Sequence, residues 1–207
     1  MKILFQGDSV TDAGRDRSDP HDMGTGYPKY ASAMISDAYP DIDFEFINLG
    51  ISGNRTCQLF DRLYKDGIEL QPDVISILIG INDVWHRYGS SLITTTDAQI
   101  ALNYRCILER LRAETNAKIV MIAPYLLDCE DKEPIREDLK TLLPIIRDLA
   151  KEFADVYVPL DELFDEALKT QPEPHYYSGD AVHPNTNGAM FIGGKYAEAV
   201  KALIESL

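Results

Sequence analysis

Short apolar segments rich in β-branched residues alternate along this sequence with longer segments of helical period. Five short segments are predicted as strands: residues 2–6, 43–48, 74–79, 118–123 and 156–158. Five longer segments are predicted as helices: residues 27–38, 56–64, 97–114, 136–153 and 186–207. Strands that alternate with helices pair in parallel through right-handed crossovers, and nearly continuous apolar strands are covered on both faces. The pattern therefore predicts an α/β fold, a three-layer α/β/α sandwich around a doubly wound parallel five-stranded sheet.

Length and composition favour a single domain over residues 1–207. The chain has 207 residues, of which 45% are hydrophobic and 26% charged. These are values of an ordinary globular domain, and no internal repeat or low-complexity linker divides the sequence. The acidic segment at residues 128–134 is predicted as a charged surface loop.

The charge balance argues against a nucleic acid or an acidic membrane surface as partner. The chain has 20 Lys and Arg residues and 34 Asp and Glu residues, which give a formal net charge of -14. A protein with this excess of negative charge repels phosphate groups. No apolar run approaches the roughly 20 residues that cross a bilayer. We expect no membrane or nucleic acid partner.

Two further features predict a cytoplasmic location. The apolar start of the chain is shorter than the roughly 7–15 residues of a secretory core, so no cleaved leader is expected. The three cysteines, Cys57, Cys106 and Cys129, are odd in number and form no C-x-x-C pair. They are predicted to be small buried residues with reduced thiols.

Unusual polar residues and glycines follow the first three predicted strands. Ser9 lies just after the first strand, Gly53 after the second and Asn82 after the third, and Asp180 and His183 stand near the C-terminus. In doubly wound sheets, ligands bind beyond the carboxyl ends of the strands. We therefore expect these side chains to meet at one edge of the sheet.

These residue types together are suited to acyl transfer. A serine hydroxyl needs an imidazole to take its proton, and the imidazole needs a carboxylate to hold its tautomer, which makes Ser9, His183 and Asp180 the candidate catalytic residues. The oxyanion of a tetrahedral intermediate needs fixed donors, and the backbone amides of Ser9 and Gly53 and the side chain of Asn82 can supply them. Ser9 or Asn82, each taken alone, could instead cap a helix.

Four separated blocks carry a resemblance to a known family. They are residues 5–12 (FQGDSVTD), 50–54 (GISGN), 80–85 (GINDVW) and 180–184 (DAVHP). In this order they closely resemble the SGNH (GDSL-type) hydrolases, whose name lists Ser, Gly, Asn and His. The resemblance implies a flavodoxin-like sheet, the SGNH hydrolase fold, and a serine esterase that uses no cofactor and no metal.

Finer features are most similar to the intracellular acetylxylan esterases of that family. They include Gly14-Arg15, residues 24–27 (GTGY) and Tyr88 behind the third block. This resemblance implies a homo-oligomer that hydrolyses acetyl esters on small carbohydrates, such as acetylated xylo-oligosaccharides, through an acetyl-serine intermediate. Ser178-Gly179 departs from the family pattern, which has an aromatic residue just before the catalytic aspartate.

Asp8, Trp85 and Tyr27 are the predicted substrate-binding residues. For Asp8 the competing interpretation is that it holds the turn through backbone hydrogen bonds, and for Trp85 it is packing. Gly50 is predicted to occupy a turn that needs positive φ.

Other functions remain open at this point. On the same triad, the protein could be a lysophospholipase, a thioesterase or a general short-chain arylesterase. It could also be a carbohydrate-binding module without catalysis, or a metal-dependent esterase or phosphatase that uses Asp8, Asp180 and His183 as ligands. The remaining histidines, His21, His86 and His175, lack metal-ligand spacing.

Overall fold

A five-stranded parallel sheet lies at the centre of the part of the chain that the computed structural model describes, residues 1–89, 92–128 and 130–207. Its strands are β1 (Lys2–Gly7), β2 (Glu45–Asn48), β3 (Val74–Leu78), β4 (Lys118–Ile122) and β5 (Val156–Val158). The strand order β2-β1-β3-β4-β5, parallel throughout, is the flavodoxin-like order. The predicted fold class is therefore confirmed. The order reverses between β1 and β3, so a crevice opens beyond their carboxyl ends.

Helices connect and flank the strands. Those of the described residues are α1 (Ser9–Asp12), α2 (Tyr27–Ala38), α3 (Thr56–Leu63), α4 (Ile81–Trp85), α5 (Asp97–Glu114), α6 (Glu133–Phe153), α7 (Leu160–Thr170) and α8 (Thr186–Ile204). A π-helical turn, Tyr64–Ile68, continues α3, and short 3₁₀ helices cover Glu130–Lys132 and Pro174–Tyr176.

Two sequence predictions about helices need correction. Residues 130–134 are not a loop, because a 3₁₀ turn leads into α6, which starts at Glu133 with Pro134 in its first turn. Proline is favoured there, since the first helical N–H groups have no intrahelical partner. Helix α7 was not predicted, although its apolar residues Leu160, Leu163 and Phe164 follow helical spacing.

The core lies on both faces of the sheet. All five residues of β3 are buried, as expected for a central parallel strand. Helices α2 and α8 pack against each other, and α5 packs against α3 and α6. Tyr27 is 0% exposed and meets the ring of Phe5 edge-on, with centroids 5.8 Å apart. The prediction that Tyr27 contacts substrate is wrong, because its ring fills the space between α2 and the sheet.

The cysteine prediction is also corrected in part. Cys57 and Cys106 are free thiols and are only partly buried, while Cys129 lies outside the described residues. In the described ranges, no helix is both long enough and apolar enough to cross a membrane.

Candidate active site

The turn that carries Ser9 is held by Asp8. The chain leaves β1 at Gly7, and Asp8 caps α1 by accepting a hydrogen bond from the backbone N–H of Val10 at 3.0 Å. Asp8 is 1% exposed. Burial raises its pKa to about 7, although the hydrogen bond from Val10 opposes the shift. The prediction that Asp8 binds substrate is therefore wrong, because its carboxyl group is enclosed beneath the turn.

Ser9, His183 and Asp180 form a hydrogen-bonded chain at the surface. Ser9 Oγ lies 2.8 Å from His183 Nε2, and His183 Nδ1 lies 2.6 Å from Asp180 Oδ2. The other carboxylate oxygen, Oδ1, accepts hydrogen bonds from the backbone N–H groups of Val182 at 3.0 Å and His183 at 2.7 Å. Ser178 Oγ lies 3.1 Å from the same oxygen.

This geometry fixes the protonation pattern of the chain. Partial burial by itself would raise the pKa of Asp180, but the hydrogen bonds from His183 and Val182 outweigh it and lower the pKa to about 2. The carboxylate is therefore ionised at neutral pH and accepts a hydrogen bond from Nδ1–H of His183, which leaves Nε2 free to accept a proton from Ser9. Such an arrangement can activate the serine as a nucleophile.

The segment that follows β4 holds the loop between Asp180 and His183. Leu127 donates its N–H to the carbonyl of Ala181 at 3.0 Å, and the hydroxyl of Tyr125 donates to the carbonyl of Val182 at 2.7 Å. Ala181 adopts φ +73°, a left-handed conformation that is uncommon for alanine. These two hydrogen bonds and the buried positions of Ala181 and Val182 keep the loop in this conformation.

Residues 50–54, which follow β2 and carry the predicted oxyanion donor Gly53, are named the oxyanion loop. They reach Asn82, which follows β3, across the end of β1, the strand that lies between β2 and β3. Gly53 adopts φ +81°, and a Cβ there would meet nothing within 4 Å, so glycine is needed for its backbone conformation. Asn82 Nδ2 donates to the carbonyl of Asn54 at 3.0 Å. A side-chain amide has two N–H groups, so Asn82 has a second one with which to meet a substrate oxygen.

Close packing, and not positive φ, explains Gly50. Its φ lies outside the left-handed region, which corrects the sequence prediction. A Cβ on Gly50 would lie 2.4 Å from the backbone nitrogen of Asp12. The carboxylate of Asp12 accepts hydrogen bonds from the backbone N–H of Ser52 at 2.9 Å and from its hydroxyl at 2.6 Å. The serine turn and the oxyanion loop are thus joined directly.

The third block is anchored by Asp83. Its two carboxylate oxygens accept from Thr56 N at 2.9 Å and Thr56 Oγ1 at 2.8 Å, which ties α4 to the start of α3. Burial raises the pKa of Asp83, and the two Thr56 hydrogen bonds oppose that shift. Asp83 therefore helps to set where Asn82 meets the oxyanion loop.

The aromatic residues near the site have differing exposure. Trp85, the last residue of α4, is half-buried against the core, and the Lys132 ammonium lies 5.7 Å from its ring centroid. A contact between Trp85 and substrate stays a prediction. Tyr177 is buried against Phe164, whereas Tyr176 is 44% exposed.

Among residues 1–89, 92–128 and 130–207, no group of three or more His, Cys, Asp or Glu side chains is placed to hold a metal ion. Asp180 and His183 are instead bonded to each other. This hydrogen bond suits His183 to accept a proton from Ser9 and suits Asp180 to orient the imidazole ring.

Sequence reasoning missed two residues that bind this region together. Tyr125 holds the loop with His183, and Arg62 in α3 donates to Asn54 Oδ1 at 2.9 Å. Neither belongs to a recognisable motif. The partner of Tyr125, Val182, lies 57 residues further along the chain, and the nearness of Asn54 to Arg62 in sequence does not by itself predict a side-chain contact.

Comparison with known proteins identifies the family. The model of the GDSL-like Lipase/Acylhydrolase family matches residues 5–190. The chain belongs to this family. As a GDSL hydrolase with an SGNH-type fold, it is a carboxylic ester hydrolase.

Individual GDSL relatives cover almost the whole chain. An acetylxylan esterase of Geobacillus stearothermophilus is 31% identical over 206 residues, which cover 96% of this chain and 93% of that protein. Among solved structures, a putative GDSL-like lipase from Parabacteroides merdae matches with a TM-score of 0.90 and 32% identity, covering 95% of this chain and 94% of that one. The Geobacillus stearothermophilus acetylxylan esterase matches with a TM-score of 0.88 and 29% identity, covering 97% and 94%. Variants of that esterase described as catalytic mutants, with a serine, an aspartate or a histidine replaced by alanine, also match.

Proposed function

We propose that this GDSL hydrolase removes acetyl groups from small carbohydrates, in particular acetylated xylo-oligosaccharides. The observation that carries the proposal is the Ser9-His183-Asp180 chain, with distances of 2.8 and 2.6 Å, in a protein 31% identical to an acetylxylan esterase. The catalytic side chains are open to bulky substrates, since His183 and Asp180 side chains are 54% and 50% exposed. Such an open site suits an ester attached to a sugar.

The reaction proceeds in two acyl-transfer steps. Ser9 Oγ attacks the acetyl carbonyl carbon while His183 Nε2 takes the hydroxyl proton. The tetrahedral oxyanion accepts hydrogen bonds from the amides of Ser9 and Gly53 and the side chain of Asn82. The C–O bond to the sugar then breaks as His183 returns its proton to the leaving oxygen. In the second step, water gives a proton to His183 and its oxygen attacks the carbonyl carbon of acetyl-Ser9. The bond between that carbon and Ser9 Oγ then breaks as His183 returns the proton to Oγ, which releases acetic acid and restores the serine hydroxyl.

A rate series on esters tests the substrate. Acetyl, butyryl and octanoyl nitrophenyl esters are compared with acetylated xylo-oligosaccharides, and kcat/KM is expected to fall with acyl length and to be highest for the acetylated sugars. Ser9→Ala is the control for background hydrolysis. A preference for octanoyl esters would favour the lysophospholipase or thioesterase alternative and overturn the proposal. Binding of sugar without turnover would indicate a carbohydrate-binding module, and inhibition by a chelator would indicate a metal-dependent enzyme.

We also propose a homo-oligomer that acts in the cytoplasm. Self-association is supported by exposed methionines on neighbouring helices: Met34 is 37% and Met190 45% exposed, and Met34 Sδ lies 3.9 Å from a Cβ placed on Gly194, one turn after Met190. The free thiols of Cys57 and Cys106 suit a reducing compartment. Light scattering after size exclusion tests the first point, and cell fractionation the second. A monomer, or active enzyme mainly in the culture medium, would contradict the respective proposal.

A further inference from the structure

Arg62 donates several hydrogen bonds from its side chain to residues around the candidate site. It lies in α3, and its side chain is only 14% exposed. Nε donates to Asn54 Oδ1 at 2.9 Å, Nη1 to the carbonyl of Leu49 at 2.8 Å, and Nη2 to the carbonyl of Gly7 at 3.1 Å. Nη1 also lies 3.2 Å from the carboxylate of Asp66.

Apart from Asp66, the acceptors of Arg62 lie at the end of β1 and in the segment that follows β2, and the residues after both strands must be in register for catalysis. They also include the side-chain oxygen Oε1 of Gln6 in β1, at 2.7 Å from Nη1. Gly7 ends β1 directly before Asp8 and Ser9, and Leu49 lies between the end of β2 and the oxyanion loop. The carbonyl of Gly7 also accepts the N–H of Ile51 at 3.1 Å. Arg62 therefore joins the turn of the nucleophile to the loop that supplies Gly53.

Asn54 is held from two sides. Its carbonyl accepts from Asn82 Nδ2 at 3.0 Å, and its side-chain oxygen accepts from Arg62 Nε at 2.9 Å. Asn54 is 8% exposed and directly follows Gly53. The relative positions of two predicted oxyanion donors, Gly53 N–H and Asn82 Nδ2, thus depend on where Asn54 lies.

We infer that Arg62 is a positioning residue for the oxyanion hole, which it sets by fixing Asn54 and the end of β1 together. The inference rests on the proposed serine-esterase mechanism. Arg62 does not touch substrate but acts through Gly53, Asn54 and Asn82. A guanidinium suits this role because its planar fork carries five N–H donors with fixed directions, whereas an ammonium has three donors on a flexible stem.

The effect on rate follows from how exacting oxyanion geometry is. Donors must lie about 2.7–3.1 Å from the developing charge, and a displacement of about 1 Å costs on the order of 10²-fold. A lysine at position 62 keeps the charge beside Asp66 but cannot reach Asn54, Leu49 and Gly7 together. We therefore expect Arg62→Lys to lower kcat by about 10- to 100-fold and to change KM by less than about threefold.

The test compares Arg62→Lys with the same substitution at Arg112, which lies near the amino end of β5, at the edge of the sheet opposite the site. Arg112 donates to the carbonyl of Phe153 at 2.9 Å and to Asp155 at 2.7 Å, before the start of β5. Arg112→Lys therefore removes similar hydrogen bonds without touching the site. Both variants are assayed on acetyl nitrophenyl ester below their measured unfolding temperatures. Arg112→Lys is expected to keep kcat within about twofold.

Two additional measurements separate positioning from a general structural role. The pH profile of kcat/KM for Arg62→Lys should keep its shape, because the bonds between Ser9, His183 and Asp180 are unchanged. In a double-mutant cycle, Arg62→Lys combined with Asn54→Ala should be scarcely slower than the slower single variant, since both break the same contact. An unchanged kcat, a rise in KM alone, a shifted pH profile or fully additive losses would each overturn the inference.

The rate at which an organophosphonate reacts with the activated serine gives a measure of the oxyanion hole that does not depend on the true substrate. The covalent attachment of the phosphonate to Ser9, followed by mass spectrometry, needs the same oxyanion donors, and Arg62→Lys should slow it by a similar factor. If the unmodified protein is labelled by the phosphonate but does not hydrolyse acetyl esters, the proposed substrate is wrong. The role of Arg62 is then still tested by the labelling rate. Equal labelling rates for Arg62→Lys and Arg112→Lys would overturn the role of Arg62.

Discussion

Replacing Asp8 by asparagine is expected to change how the stability of the protein depends on pH. Asp8 is 1% exposed, and burial raises its pKa from the ordinary value of 3.8 to about 7. An asparagine keeps an oxygen that accepts the N–H of Val10 but cannot ionise. The variant therefore retains the helix cap and removes the titration.

The sign of the effect follows from proton binding. Below about pH 4, Asp8 is protonated in the folded and the unfolded chain, and its favourable contribution is fully present. Between about pH 4 and 7, the folded chain keeps a proton that the unfolded chain has lost, so the free energy of unfolding falls as the pH rises. A shift of about three pH units corresponds to a total loss of about 4 kcal/mol. Above about pH 7 the loss is complete.

Denaturant unfolding at several pH values measures this loss. Because the sequence pI is near 4.6 and proteins near zero net charge associate, the series runs from pH 5.5 to 8. Over that range, the natural sequence should lose about 2 kcal/mol relative to Asp8→Asn. Asp37→Asn, at an exposed position on α2, removes the same charge from the surface and serves as control. Parallel curves for the natural sequence and Asp8→Asn would refute the reasoning.

Three further changes test the site. Ser9→Ala and His183→Ala should each lower kcat by about 10⁴–10⁶, and the double variant should be scarcely slower, because triad residues act as a unit; additive losses in steady-state kinetics would contradict a shared triad. Asn82→Ala removes one oxyanion donor and should lower kcat by about 10²–10³ with little change in KM, whereas a rise in KM alone would make it a binding residue. Tyr125→Phe keeps the buried ring but leaves the carbonyl of Val182 without its donor, so denaturant unfolding should show a loss of about 1–3 kcal/mol; unchanged stability would mean that this hydrogen bond does not hold the loop.

The strands could be predicted because a strand that is buried on both faces consists almost entirely of apolar residues. Every residue of β3 is apolar except Ser76, and the whole strand is buried. Helix α7 was missed although Leu160, Leu163, Phe164 and Leu168 have helical spacing. It begins directly after Pro159, two residues beyond the end of the three-residue strand β5. Because the strand is so short and a proline follows it, the sequence does not clearly indicate where the strand ends and the helix begins.

Candidate site residues could be predicted where residue type and position after a strand decide their place. They could not be predicted where the direction in which a side chain points decides it. Ser9 and Asn82 follow parallel strands, and strand ends meet at one edge of a sheet. Asp8 directly precedes Ser9, and Tyr27 begins α2. Both side chains are buried, and the residue type alone does not reveal that. Arg62 has backbone carbonyls among its main partners, and these have no sequence signature.

The distance along the chain between the two halves of the triad links activity to folding. Ser9 and His183 are 174 residues apart, and the loop that carries His183 leads into α8, which packs on α2. Contacts between such distant segments require closure of a long loop, which slows folding in proteins dominated by them. Under the proposed mechanism, the Ser9 hydroxyl therefore stays unreactive until the segment that carries His183 has packed against the rest of the fold. The recovery of esterase activity during refolding should therefore report the arrival of the C-terminal segment, and intermediates that already contain the sheet should be inert toward esters.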